Sequence, residues 1–218
     1  ASTNENLSSG AYAGQTESVG NATGGTITTS GSYKYHAFQN TGGYNQQTTT
    51  NFVTPSSGTI DYLIVGAGGS GRSLHTGTIG GGAPGSHQYF SGQSKAAGTY
   101  SIVVAGAAPG WTTSTNGLSS SAFGTTKAGG TLGVITSGAG PAGTTYSAFS
   151  QFGESGVFGG GGGSMNNDGG TGGGGAGGNY NGVNADSGLS GTGGGGGSGN
   201  SGANASGDGG SGVVLIRY

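Results

Sequence analysis

The chain has 218 residues, of which 59 are glycine and none is cysteine; Lys and Arg number 5, Asp and Glu 7, and the net charge is -2. Hydrophobic residues make up 29% and charged residues 6%, well below the usual globular shares of about 45–50% and about 25%, yet the charge is too low for the ordinary disordered class. The absence of cysteine excludes disulfides and thiolate metal sites, no run approaches the roughly 20 apolar residues of a membrane span, and five cations argue against a nucleic-acid surface, which needs them clustered.

Residues 1–25 are small and polar apart from Leu7, Tyr12 and Val19, and are expected to form an extended N-terminal arm. Thr26-Ile27-Thr28-Thr29 and Tyr33-Lys34-Tyr35-His36-Ala37-Phe38 are β-branched or aromatic runs split by Gly31, the pattern of a hairpin. Asn51-Phe52-Val53-Thr54-Pro55 is a further strand, ended by its proline. Three stronger strands follow: Ile60 to Val65, Tyr100 to Val104, and Val213 to Tyr218. Their near-continuous apolar character predicts burial on both faces. No stretch carries the i, i+3, i+4, i+7 stripe of a capped helix.

The glycine runs Gly159 to Gly163, Gly169 to Gly178 and Gly191 to Gly199 need a conformation of their own. Gly169, Gly172, Gly175 and Gly178 keep a three-residue period, as do Gly193, Gly196, Gly199 and Gly202. Threefold left-handed helices of the polyproline II type point their backbone groups outwards. Without side chains they can pack side by side and exchange N–H···O=C bonds laterally. The predicted fold class is all-β: a small β-sheet or sandwich region joined to a bundle of polyglycine II helices, with essentially no α-helix. Residues 26–218 form one domain after the arm, β-rich over 26–135, polyglycine-rich over 136–210, and closed by a strand over 211–218.

Gly66-Ala67-Gly68-Gly69-Ser70-Gly71 fits the dinucleotide fingerprint and follows a strand. A pyrophosphate site also needs a helix N-terminus and an acidic residue about 20 positions on. The chain runs instead into Gly80-Gly81-Gly82, with no Asp or Glu between Asp61 and Glu154, so no cofactor is expected. His36, His75 and His87 stand outside any catalytic motif, and no enzyme activity is expected. Asn166-Asn167-Asp168-Gly169 and Ser206-Gly207-Asp208-Gly209 lack the acidic ligands of a calcium loop and suit turns better. No metal is expected.

Asp61 within an apolar strand is costly unless paired, and Lys34 and Arg217, each inside a β pattern, are its candidate partners. Large aromatics stand among Ser, Gly and Asn elsewhere: Trp111 after Pro109-Gly110; His87, Tyr89 and Phe90 after Pro84-Gly85; Tyr180 between Asn179 and Asn181. Rigid aromatic area beside adaptable amides and hydroxyls is a loop chemistry suited to binding. The same rings could equally cover the edge of a core poor in side chains.

In order, these pieces resemble the glycine-rich domain of tail fibres and adhesins of tailed bacteriophages. The likeness runs from Gly24-Gly25-Thr26-Ile27-Thr28-Thr29 through Tyr33 to Phe38, Ile60 to Gly66, Gly98 to Val104 and Ser120 to Gly124, and ends in Asp208-Gly209-Gly210-Ser211-Gly212 and Val213 to Tyr218. The resemblance implies a compact β region feeding a stack of polyglycine II helices, with variable loops at the far end contacting a host surface. The expected function is a virion-surface fibre or fibre-tip adhesin that binds a host glycan or outer-membrane protein non-covalently. Residues 1–25 would join it to other virion proteins or to copies of itself as a homo-oligomer. No nucleic-acid binding and no membrane insertion are expected. The alternative is a self-assembling extracellular filament or coat subunit, secreted and cleaved ahead of Ala1.

Overall fold

A computed structural model of the protein describes residues 19–73, 79–110, 115–179, 182–200 and 205–218. The fold is all-β, with several antiparallel sheets and no α-helix among the described residues. The strands are β1 (Thr26–Ser30), β2 (Tyr33–Gln39), β3 (Gln47–Thr54), β4 (Gly58–Val65), β5 (His87–Lys95), β6 (Gly98–Ala105), β7 (Ser120–Ala122), β8 (Thr125–Lys127), β9 (Thr144–Thr145), β10 (Val157–Phe158) and β11 (Val213–Arg217). One sheet has the order β1-β2-β11-β4-β5, a second β3-β6-β7-β8, and β9 pairs with β10. The expected hairpin is β1–β2, turning through Gly31 at φ 60. A positive φ at the first turn position matches the twist of the flanking strands.

β11 lies at the centre of the five-stranded sheet, with Leu215 between Ala37 of β2 and Leu63 of β4. Successive side chains of these strands point to opposite faces. Phe38, Ile60, Tyr62, Ile64, Val214 and Ile216 pack onto Phe52, Ile102, Val104 and Ala122 of the second sheet. Tyr35, Ala37, Leu63, Val65, Val213 and Leu215 pack the other way, onto Phe149 and Phe158. Phe149 ends a short 3₁₀ turn, Ser147–Phe149, and Phe158 ends β10. Cover on both faces is why β4 and β11 are apolar without alternation.

The end of the expected arm belongs to this sandwich. Val19 and Ala22 are buried in the inter-sheet core, and Thr23 exchanges both main-chain hydrogen bonds with Val53, at 2.9 and 3.0 Å. Residues 1–18 lie outside the described residues.

Beyond one end of the sandwich the chain continues into a layer held by main-chain groups. Along 66–72 the hydrogen-bond partner changes with every residue and returns every third. Gly66, Gly69 and Arg72 donate to Ser86, Ala83 and Gly80; Ala67 and Ser70 donate to Leu118 and Thr115; Gly68 and Gly71 donate to Gly210 and Gly207. The same rotation recurs at Gly160 and Gly163, which donate to Gly172 and Gly175, while Gly161 and Ser164 donate to Pro141 and Gly138, and Gly162 to Gly82. In 195–198, Gly195 and Ser198 donate to Gly160 and Gly163, Gly196 to Gly69, and Gly197 to Asp186. Each segment is thus bonded on three sides. The layer therefore draws on stretches near 66–73, 79–86 and 115–135 as well as the glycine runs after 136.

Glycine is needed here for close approach. A Cβ on Gly68, Gly71, Gly162 or Gly195 would fall closer than 3.0 Å to a carbonyl oxygen of a neighbouring segment, respectively that of Gly194, Gly197, Gly196 or Gly82. With no Cβ, the backbones approach until their own polar groups are satisfied.

Candidate functional site

The two ends of the molecule differ in kind. At the sandwich end lie the turn at Gly31, the C-terminal Tyr218, which exchanges main-chain bonds with Lys34 at 2.8 and 3.1 Å, and Gly20, packed on Pro55 and Ser56. At the far end of the glycine layer the connecting loops converge. Ser73 Oγ donates to Asn200 O at 2.8 Å. Asn166 N donates to Gly178 O, Gly178 N to Ser198 O, and Ser164 N to Gly138 O. Ala205 N donates to Asn184 Oδ1 at 3.0 Å.

This end is rich in amides. Asn166, Asn167, Asn179, Asn184 and Asn200 all stand there, beside Val183, which is 55% exposed. Several amides are held by the backbone: Asn179 Oδ1 accepts from Val183 N at 3.3 Å, and Asn167 Nδ2 donates to Ser164 Oγ and Met165 O. The Asn166 turn has φ 61, a conformation that Asn tolerates better than most residues. The Ser206 to Gly209 stretch, expected as a turn, is instead a run of the glycine layer, with Gly207 and Gly210 accepting from Gly71 and Gly68. Within it Asp208 accepts from Gly110 N at 2.6 Å and from the Tyr44 hydroxyl at 2.8 Å. The hydrogen bond to that carboxylate raises the Tyr44 pKa above its ordinary value.

The residues expected to bind a receptor divide. Trp111, Tyr180 and Asn181 lie outside the described residues. Asn179 is at that end. His87, Tyr89 and Phe90 are not in a loop: they open strand β5, opposite Val65, Leu63 and Tyr62. Phe90 stacks on Tyr62 with centroids 4.6 Å apart and closes the inter-sheet core. His87 packs against Gly159, where a Cβ would meet its ring, and meets Tyr146 edge-on at 5.8 Å. These two rings cover the core.

Tyr89 has a different neighbour. Asp61 lies opposite a β-bulge, where Gly92 has φ 63. Its Oδ1 accepts from Ser91 Oγ and Gly92 N, and its Oδ2 from the Tyr89 hydroxyl, at 3.1, 2.8 and 2.9 Å. Arg217 completes the set, with Nε and Nη2 at 2.9 and 2.8 Å from Oδ2. The pair is largely shielded, at 16% and 15% side-chain exposure. Burial alone would raise the Asp61 pKa; the bonds from Gly92, Arg217, Tyr89 and Ser91 outweigh it and hold the carboxyl below its ordinary value.

Of the two expected partners of Asp61, Arg217 is the one it uses. Lys34 is one residue out of phase with Tyr35, which faces Arg217 across the ladder. Its side chain therefore points to the opposite face, where its Nζ lies 5.8 Å from the Tyr218 ring centroid.

Above the ion pair, Tyr89, Thr145, Tyr146, Ser147, Ala148 and Arg217 line a cavity of about 330 Å³ on the outer flank of the five-stranded sheet. Tyr146 stands in the sequence among Phe149, Phe152 and Phe158, ahead of the first glycine run, with nothing to set it apart. Thr145 and Ser147 carried no signal in a chain so rich in hydroxyls.

No protein-family model matches the chain, and no curated protein is detectably similar to it.

Proposed function

We propose that the protein is a receptor-binding element of a virion-surface fibre, a tail-fibre or fibre-tip adhesin that engages a host-surface glycan or outer-membrane protein without covalent chemistry. The observation that carries this reading is that the sandwich and the converging loops lie at opposite ends of the glycine layer. Val19 and Tyr218 lie at the sandwich end, and the amide-rich loops gather at the other. A particle would hold the protein by the first end, through the residues ahead of Val19, and present the second. In this reading the glycine layer is a bundle of polyglycine II helices. The three-residue rotation of hydrogen-bond partners supports that assignment, because a threefold helix directs successive N–H groups about 120° apart. A bundle with main-chain bonds on three sides is a stiff spacer whose loops can vary without repacking a side-chain core. The resemblance to phage glycine-rich domains points the same way.

The test is adsorption of the full chain, fluorescently labelled, to candidate host cells. Val183→Glu and Asn184→Ala at the loop end, and Trp111→Ala and Tyr180→Ala in the connecting stretches, are expected to cut adsorption at least about tenfold. Thr49→Lys on the exposed outer face of β3 leaves it unchanged. Equal adsorption by all variants, or none by the parent across hosts of differing surface glycans, would sink the proposal.

A further inference from the structure

We propose that the cavity on the sheet flank is a second binding site, one that takes a single neutral sugar ring and is separate from the loop end. Arg217 lines it, and the charge of that arginine is already paired with Asp61. The Arg217 guanidinium is fixed by two bonds to Asp61 and by Nη1 to Ala148 O at 3.2 Å. The Tyr33 ring lies 4.3 Å from its central carbon. Three of the five N–H donors are engaged by Asp61 and Ala148, and the Tyr35 hydroxyl hydrogen-bonds the same guanidinium. A fork so constrained offers what remains in a set direction, without the ordering cost a free arginine would carry. Asp61 cancels its charge, so a carboxylate or phosphate would gain little, whereas a hydroxyl or ring oxygen can still accept from it.

The walls supply complementary groups. The Tyr89 hydroxyl gives its proton to Asp61, which leaves its oxygen as an acceptor. Thr145 and Ser147 are exposed at the rim, and each hydroxyl can donate or accept. Tyr146 forms an aromatic wall braced by His87, Tyr89 and Phe158, with centroids 5.8 to 6.2 Å away. A sugar ring has a C–H face that packs on an aromatic wall and hydroxyl edges that alternate donor and acceptor, and amphipathic rings such as Tyr suit that mixture. The volume of about 330 Å³ is at the small end of ligand pockets, roughly 300–1,000 Å³, and matches one ring rather than a chain of them. The site uses rigid strands and a 3₁₀ turn, so it does not rest on the adhesin reading.

The experiment is saturation-transfer NMR on the full chain with the methyl glycosides of glucose, galactose, mannose, N-acetylglucosamine and glucuronic acid. At least one neutral glycoside is expected to receive saturation, and the glucuronide no more than its neutral counterpart. Ser147→Arg, an exposed substitution that fills the cleft, and Tyr146→Leu each weaken that signal at least about tenfold, while Val183→Glu at the loop end leaves it intact. The inference is overturned if no neutral glycoside binds, if the signal survives Ser147→Arg, if the glucuronide binds about tenfold better, or if Val183→Glu removes the signal. Cell adsorption by the Ser147→Arg protein, measured in parallel, separates the two sites: loss of sugar binding with adsorption retained leaves the loop-end reading standing.

Discussion

The sandwich and the glycine layer share continuous chain, since β4 runs directly into 66–72 and the segment from 207 leads into β11. They are held together by different means. In the sandwich, Phe38, Phe52, Ile64 and Leu215 are fully or almost fully buried, and apolar burial supplies the stabilisation, about 25 cal/mol per Å². In the layer there is almost nothing apolar to bury. Its stability comes from main-chain hydrogen bonds on three sides and from close backbone contact, set against the large ordering entropy of glycine. The two regions therefore fail in opposite ways, one when atoms are removed and the other when atoms are added.

The sharpest way to break that comparison is a single methyl group. Gly195 lies among Gly82, Gly160, Gly162 and Gly175, and a Cβ on it would overlap the Gly82 carbonyl. No flexible side chain is there to move aside. Gly195→Ala is expected to cost more than about 5 kcal/mol, an exceptional value for a point change, and to leave no cooperative unfolding transition in circular dichroism. Gly98→Ala is the control. A Cβ there meets nothing within 4 Å and the φ is not left-handed, so stability is expected to rise by about 0.4–1 kcal/mol. A well-folded Gly195→Ala protein would mean that the layer is softer than its contacts imply.

On the sandwich side the matching experiment removes atoms. Phe52 is fully buried and meets the edges of His36, Phe38 and Phe123. Phe52→Ala is expected to cost about 3–5 kcal/mol in denaturant titration. Next in size is Asp61→Asn, which keeps the shape but leaves Arg217 without a counter-charge. Breaking a buried pair costs about 3–5 kcal/mol; the residual exposure of both groups lowers the expectation here to about 2–3 kcal/mol. The parent and Asp61→Asn stabilities should converge in acid. The folded Asp61 pKa is depressed, so its contribution is complete above the unfolded carboxylate value of about 3.9 and is lost as pH falls through the folded value.

Much of the sandwich was legible in the sequence, and the reasons differ by strand. β4, β6 and β11 stood out because they are apolar, and two of them are covered on both faces. The Asp61–Arg217 pair followed from the cost of an isolated charge in such a strand, but choosing Arg217 over Lys34 required the strand phase. β5 was hidden. Gln88, Ser91, Gly92 and Gln93 dilute its pattern, and the bulge opposite Asp61 shifts its register, so His87, Tyr89 and Phe90 looked like loop residues. The three-residue glycine period was visible, but not which segments pair. Lateral order in the layer is set by backbone contacts between segments without side chains, so the gathering of Asn166, Asn179, Asn184 and Asn200 at one end had no local signature. The flank cavity depends on Tyr89 meeting residues more than fifty positions away, which composition alone does not reveal.

The smallest expected effect concerns a buried titratable group that joins both ends of the described chain. His36 is fully buried, with Nδ1 2.7 Å from Gly24 O and Nε2 3.2 Å from the Tyr218 hydroxyl. In the neutral ring Nδ1–H donates to Gly24, and Nε2 accepts from Tyr218. Burial lowers the His36 pKa; the Gly24 carbonyl partly opposes this, and Lys34 adds to it. A depressed folded value means that the unfolded chain takes up its proton first as pH falls. The contribution of His36 is therefore complete above the unfolded value of about 6.5 and is lost on acidification through the folded one. Denaturant midpoints should thus begin to fall between pH 7 and pH 5, above the range in which Asp61 titrates. In His36→Gln, which keeps a hydrogen-bonding side chain without a titrating ring, the midpoint should start lower but stay level across that window. The slope with pH, rather than the absolute stability, is the quantity to compare. An equal slope in both proteins would assign the acid sensitivity to carboxylates alone.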